Sequence, residues 1–230
     1  MTSPRSIKLY SHDYGPFPHI VRIALSEKGV QLGEEVEIEN VDPEDKPKDF
    51  LQVSPTGKTP LLLVDGEPIF ETVAVLECVD GLFDGGPAFQ PQDPVARARD
   101  RSWTLLGLEL QMDSFRTVMA PDLEGHQDNA REVVAKLTRL SAQLGSGPYF
   151  GGEQVGLVDF AYAALFLRMQ LFEDAFGWAV LKDLPPIQRW AQALLARPSI
   201  RATMPSDFET SIVGFLRSRG GYITRARASA

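Results

Sequence analysis

Two short polar clusters in the first third of the chain have residue types suited to holding a small ligand. The first is Lys58-Thr59-Pro60, just before the apolar run Leu61 to Val64. A proline there donates no N–H, so it belongs at a strand start or edge. A cis Thr59-Pro60 bond turns the Thr59 backbone N–H and C=O toward a ligand. The second is Glu71-Thr72, a carboxylate and a hydroxyl where an apolar run gives way to a helical pattern. The free N–H groups of a helix start hold anions, so this junction suits a charged ligand end. A third place for an anion is the start of the helix opened by Pro16, ahead of which stand Tyr10, Ser11, His12 and Tyr14.

The elements that must position these residues follow from the pattern. Ile7 to Tyr10 reads as a strand, and Pro16 to Lys28 as a helix stopped by Gly29. Ile20, Ile23, Ala24 and Glu27 give that helix one face. Glu35 to Ile38 is a second strand, parallel to the first. Residues 42–56, with three prolines, read as an irregular connection. Asp65-Gly66 turns Leu61–Val64 into Pro68–Phe70 as an antiparallel hairpin, and a helix over 71–80 follows. The order is βαβ-ββα. Gly81 to Gln92 is a glycine- and proline-rich linker, and Asp93-Pro94 caps a helix running to Met119. Further helices are expected over Asn129–Leu144, from Gly156 through Leu171, over Pro186–Ala196, and briefly after Pro198. Asp159 at the third turn position reaches back to the Gly156 N–H. Beyond Pro205 the chain reads as a tail, with Arg217, Arg219, Arg225 and Arg227 and no acid after Glu209.

This arrangement resembles the cytosolic glutathione transferases. In that family a cis-proline turn presents its preceding residue to the cysteinyl unit of glutathione, and an acidic residue followed by Ser or Thr grips the γ-glutamyl end. Lys58, Thr59, Pro60, Glu71 and Thr72 match that pattern position by position. The resemblance implies an α+β thioredoxin-like glutathione-binding domain over 1–82, a linker over 83–93, and an all-helical domain over 94–230. It also implies glutathione as co-substrate, an apolar electrophile between the domains, and a homodimer. The wall of the electrophile pocket would include Phe17, Met112, Phe115 and Met119.

The segment Tyr14 to Leu25 resembles the Cys-Pro-Phe or Ser-Pro-Phe start, ending in Arg-Ile-Ala-Leu, of the omega- and tau-like classes. Gly15 stands where those classes carry the catalytic Cys or Ser. Glutathione reacts as the thiolate, and a free thiol ionises near pH ~8.5, so a site must stabilise the anion. Glycine has no side chain to do so, and Pro16 and Pro18 remove two helix-start N–H groups. Tyr14 is the preferred replacement. Tyr10, in the position of the catalytic tyrosine of the alpha, mu and pi classes, is an alternative, as are the loop donors Ser11 and His12. Each has a plainer reading: a pocket wall for Tyr14, a packed strand residue for Tyr10. Arg22 reads as structural, His19 as an exposed helix residue, and Cys78 as a small apolar residue. The N-cap at Gly156 departs from the Ser or Thr usual in the family, at a cost of a few tenths of a kcal/mol.

Composition narrows the remaining classes. The chain has 230 residues, 43% hydrophobic, enough for one large or two small domains. No apolar run approaches the ~20 residues of a membrane span, and no signal-peptide pattern opens the chain. One cysteine excludes an internal disulfide and fits a cytoplasmic setting. The net charge of −8 disfavours nucleic acid or anionic membrane as partner. Three scattered histidines make no metal motif. The expected activity is a glutathione transferase or glutathione-dependent lyase. The rival is a non-catalytic glutathione-binding or ligand-carrying protein, which Gly15 sustains.

Overall fold

The computed structural model describes residues 5–225. Four strands form one sheet in the order β2-β1-β3-β4: β1 is Ile7–Ser11, β2 Glu37–Asn40, β3 Leu61–Val64 and β4 Glu67–Phe70. β1 pairs parallel with β2 and antiparallel with β3, and β3 pairs antiparallel with β4. The tight turn between β3 and β4 has positive φ at Asp65 (53°) and Gly66 (87°), the backbone that Asp-Gly favours in a hairpin.

Alternation along the strands sorts side chains to two faces. Leu9 and Leu62 join the main core, with α1 (Pro16–Glu27) and α3 (Thr72–Leu82) packed together there. Tyr10 and Leu61 point the other way and enclose Phe50. Phe50 lies on α2 (Lys48–Val53), a short helix inside the segment expected to be irregular. Pro47 precedes it, and one buried phenylalanine, not an apolar stripe, holds it against the sheet. The second strand is also displaced two residues toward the C-terminus, to Glu37–Asn40.

The remainder is helical: α4 Pro94–Val118, α5 Leu123–Ser141, α6 Leu157–Phe176, α7 Pro185–Leu195, α8 Pro198–Ala202, α9 Phe208–Arg219 and α10 Tyr222–Arg225. α6 is the central rod, buried along nearly its whole length and packed on α4, α1 and α7. α5 begins six residues before the expected Asn129, because the Asp122 carboxylate accepts from the Gly125 N–H at 2.8 Å and caps the polar first turn. The stretch beyond Pro205 is not a bare tail. It forms α9 and α10, with Phe208 and Leu216 buried, while Arg227 lies outside the described residues.

At the head of α6 the Asp159 carboxylate accepts from the Gly156 N–H (2.9 Å), the Phe150 N–H (2.9 Å) and the Trp190 indole (2.7 Å). Burial pushes this carboxyl up to about 6, while those three donors pull it back. The departure at Gly156 has a steric cause. A Cβ there would sit 2.8 Å from the Phe89 carbonyl oxygen, so the incoming linker leaves no room for Ser or Thr. The linker is pinned by Lys28, whose ammonium donates to the Pro87 carbonyl (3.0 Å) and pairs with Asp80 (2.9 Å).

Candidate functional site

The sheet register gathers the polar clusters at one end. Tyr10 at the end of β1 faces Leu61 at the start of β3, which in turn faces Phe70 at the end of β4. The loop 12–15, the turn 58–60 and the junction 71–72 therefore share one edge of the sheet, beside the start of α1.

On that edge the Thr59-Pro60 peptide bond is cis, with Pro60 buried and Thr59 half-buried. Thr59 stands just ahead of the strand ladder, and its backbone N–H and C=O have no partner among the described residues. Glu71 is exposed and caps α3 with φ 68° and ψ 125°. A non-glycine residue in this region carries backbone strain of ~1–3 kcal/mol, which persists only where its surroundings impose it. The carboxylate of Glu71 and the ammonium of Lys58 make no ion pair among the described residues. Thr72 is buried at the first turn of α3, beside amides that the helix leaves free.

A cavity of about 590 Å³ adjoins this edge between the sheet domain and the helices. Phe17, Met112 and Phe115 line it; Met119 does not, lying at the C-terminal end of α4. Helix α9, which the sequence reading missed, supplies Ile212, Phe215 and Leu216. Lys58, Thr59, Pro60, Glu71 and Thr72 are not part of this wall. The structure thus separates a polar rim from an apolar chamber, with His12, Tyr14, Gly15 and Phe17 on the chamber's rim side.

The expected hydroxyl donors are engaged elsewhere. Tyr14 lines the cavity, yet its hydroxyl donates to Asp207 at 2.9 Å, which also accepts from Ser211 at 2.7 Å. Tyr10 points to the opposite face and donates to Asp49 at 2.9 Å; burial raises its phenol above the ordinary value. Ser11 is fully buried, and its Oγ accepts from Arg22 at 2.5 Å. Among the four, only the His12 ring lines the cavity without a side-chain hydrogen bond among the described residues. Burial lowers its pKa, so the ring is neutral at neutral pH. Its Nδ1 lies 3.2 Å from where a Gly15 Cβ would stand. Gly15 has φ −69° and ψ 133°, backbone open to any residue. With prolines at 16 and 18 and the His19 amide bonded to the Gly15 carbonyl, Phe17 is left with the free N–H at this helix start.

Behind this loop lies a cationic cluster that sequence reasoning missed. His19 is fully buried, contrary to the expectation of an exposed helix residue. Its Nε2 donates to the Ile200 carbonyl (2.9 Å), so Nδ1 is the acceptor facing Arg168 Nη1 at 3.3 Å. Burial, then Arg168 and Arg22, hold its pKa well below the usual value. Arg22 is structural, as expected, bracing the loop through the His12 carbonyl (3.1 Å) and the Asp13 carbonyl (2.8 Å). Arg168 Nη2 donates to the Tyr14 carbonyl at 3.0 Å. The one signal for this cluster was an arginine in the middle of α6, between the apolar run 160–167 and the polar C-terminal turns. Among the described residues no group of His, Cys, Asp and Glu is placed to hold a metal, and no helix is long and apolar enough to cross a membrane.

Two family models match the chain, one after the other. Residues 14–82 fit the family model described as glutathione S-transferase, N-terminal domain, and residues 120–193 the C-terminal domain. Glutathione S-transferase U19 of Arabidopsis thaliana is 28% identical over 200 residues, covering 86% of this chain and 90% of its own. The structure of Rice GST1 in complex with glutathione superposes with a TM-score of 0.80 at 27% identity, covering 93% of this chain and 98% of the other. Glutathione transferase Omega 3C from Trametes versicolor gives 0.77 at 27% identity, covering 89% and 91%. Two domain models matched in chain order over more than half its length, and relatives alike nearly end to end, make this protein a member of the glutathione transferase family.

Proposed function

We propose that this protein is an enzyme that binds glutathione on the polar rim and joins it, through its sulfur, to an apolar electrophile held in the chamber. Lys58 and the Glu71–Thr72 junction take the charged ends of the tripeptide. The unpartnered Thr59 backbone pairs with its cysteinyl unit, as a short added strand would. This brings the thiol to the loop 12–17. The His12 ring, neutral and without a hydrogen bond among the described residues, accepts the thiol proton. The Phe17 N–H and the start of α1 stabilise the thiolate. The sulfur lone pair then forms a bond to an electrophilic carbon, and either a leaving group departs with its electron pair or the new carbanion is protonated. The position of His12 beside Gly15 carries this reading, because a side chain from the neighbouring loop fills the role that Gly15 cannot.

The test is a pH titration of the ultraviolet difference spectrum of the glutathione complex, which follows thiolate absorbance. A bound thiol ionising well below its solution value is expected in the native protein and in Tyr14→Phe. In His12→Gln the shift is expected to shrink, and turnover of a generic aryl halide to fall about 100-fold or more. Binding without any shift in the native protein would instead indicate a carrier. The relatives, named as transferases, do not favour that outcome.

The same reading includes a homodimer. The edge strand β4 leaves Phe70 exposed, and α4 leaves Val95 and Leu105 exposed, apolar surface that suits a second copy. Light scattering that returns twice the 25.4 kDa chain mass is the expected result. Cys78, unpaired and with its thiol pKa raised by burial, suits a reducing cytoplasm.

A further inference from the structure

The chamber has an apolar wall, but two of its polar side chains lack the partners that buried groups normally have. Ser114 on α4 is 1% exposed, and its Oγ makes no hydrogen bond among the described residues. A helical hydroxyl usually settles on the carbonyl four residues back. Thr104 and Thr117 on the same helix do so, donating to the Asp100 and Asp113 carbonyls at 2.9 and 2.8 Å. Ser114 does not, and it lines the cavity.

The second is Arg168 on α6, 6% exposed and on the wall of the same cavity. Its hydrogen bonds go to neutral acceptors: the Ala164 and Tyr14 carbonyls, both at 3.0 Å, and His19 Nδ1 at 3.3 Å. No carboxylate of the described residues pairs with it or with the buried Arg22. Buried charges are normally paired, but the Arg168 guanidinium lies over the Phe208 ring, 5.2 Å from its centroid, and its positive charge has no carboxylate partner among the described residues. Its Nε–H and one Nη2 N–H have no protein acceptor among the described residues.

Helix geometry brings the two together. α4 and α6 meet where a Cβ on Gly107 would touch Ala161 and Tyr162, and Gln111 Nε2 donates to the Ala161 carbonyl at 3.1 Å. Seven residues further along each helix, about two turns, stand Ser114 and Arg168. One hydroxyl and one guanidinium with N–H groups to spare thus meet a chamber whose apolar wall includes Phe17, Phe115, Phe172 and Phe215, while its other charged lining residues, Asp42, Glu44 and Arg219, are exposed.

We infer that the electrophile this chamber selects is an apolar molecule ending in a carboxylate, with its acid oxygens seated between Ser114 Oγ and the Arg168 guanidinium. This rests on the proposed function, because it names the substrate class of the same chamber. A carboxylate offers acceptors to both donors and neutralises the buried cation, which a neutral end cannot do. The apolar body then lies along the phenylalanine wall and carries its reactive carbon toward the loop 12–17.

The test is calorimetry on the glutathione-loaded protein with 4-phenylbutyrate and its neutral isostere 4-phenylbutanamide. The acid is expected to bind on the order of tenfold tighter than the amide. Ser114→Ala, a small change in a packed helix, is expected to weaken the acid several-fold and Arg168→Met to erase the preference. Glutathione affinity should stay unchanged in both variants. Equal affinity for acid and amide in the native protein overturns the inference. So does a preference that survives Ser114→Ala at full size, a readout that holds even where Arg168→Met does not fold. If Arg168→Met raises the bound thiol's ionisation pH while acid preference persists, the guanidinium serves the sulfur and the subsite is refuted. Loss of glutathione binding by the native protein is a separate failure, that of the proposed function, since binding of the two probes can be compared without glutathione.

Discussion

The two halves of the site are built by opposite means. The polar rim is made of backbone: a cis peptide bond at Thr59-Pro60, a positive φ at Glu71 and the open first turn of α3. Its two charged side chains, Lys58 and Glu71, are exposed and unpaired among the described residues. The chamber is made of side chains from five distant parts of the chain, and behind its wall Arg168, His19 and Arg22 are buried in a network of neutral acceptors. A backbone-built site is fixed by a few residue types at short spacing. A side-chain-built site depends on which helices arrive beside it. The first suits a constant co-substrate, the second a variable partner.

The largest effect that would break this contrast is expected at the rim. Glu71→Ala should weaken glutathione binding about 10- to 100-fold by calorimetry, the scale of one charged hydrogen-bonding group. It should leave the binding of apolar ligands in the chamber unchanged. An effect on both would mean that rim and chamber are one coupled unit.

A smaller effect tests whether the helical side is governed by packing. Gly156→Ser introduces a better N-cap residue, yet it should destabilise the protein by about 1–3 kcal/mol in urea unfolding, because its Cβ meets the Phe89 carbonyl. A gain in stability would show that the linker yields.

The cationic cluster makes a pH prediction. His19 has its pKa held well below 6.5 in the folded chain, while the unfolded chain takes the proton at its ordinary value. The neutral ring therefore contributes its full stability above about pH 6.5, and that contribution drains away as pH falls toward the folded value, at up to about 1.4 kcal/mol per pH unit. Asp159 works in the opposite sense. Its folded carboxyl is pushed up to about 6, so its burial costs stability above that pH, and the cost shrinks as pH falls toward the ordinary value of 3.8. Urea midpoints measured from pH 7.5 to 5.5 in the native protein and in His19→Gln separate the two. The variant should lose the acid-side decline assigned to the histidine.

The smallest change sharpens the boundary between the two halves. Gly15→Ser places a hydroxyl at the N-cap of α1, with its Cβ 3.1 Å from Pro18 Cδ and 3.2 Å from His12 Nδ1. Stability should change by only a few tenths of a kcal/mol. If the new hydroxyl takes over the sulfur, activity in the Gly15→Ser, His12→Gln double variant should exceed that in His12→Gln alone.

The sequence made the rim far more legible than the chamber, for the same reason that they differ. The hairpin, its Asp-Gly turn, the cis-proline strand start and the Glu71–Thr72 junction are local, and local chemistry dictates them. The stop at Gly29 and the start at Asp93-Pro94 were equally readable, the latter closed by a 2.8 Å bond from the Ala96 N–H to the Asp93 carboxylate. Helix α2 was not, since Phe50 alone buries it. Helix α9 was hidden in an arginine-rich stretch with only Phe208 and Leu216 buried. The engagement of Tyr14 rests on a contact across 193 residues, and nothing near position 14 announces that Asp207 will accept its hydrogen bond. His19 was misread for a similar reason: the carbonyl of Ile200, which makes its burial affordable, comes from 181 residues away.

Helix α9 turns this division into a handle for engineering. It reaches the chamber from the last part of the described chain, contributes Ile212 and Phe215 to the wall, and contributes nothing to the rim. Phe215 is exposed and Ile212 only half-buried against the main core, so exchanges here disturb the fold less than exchanges on α6 would. Randomising these two positions gives a compact library in which substrate range drifts while co-substrate affinity stays constant. Lineages under pressure from changing toxicants have the same short route open to them.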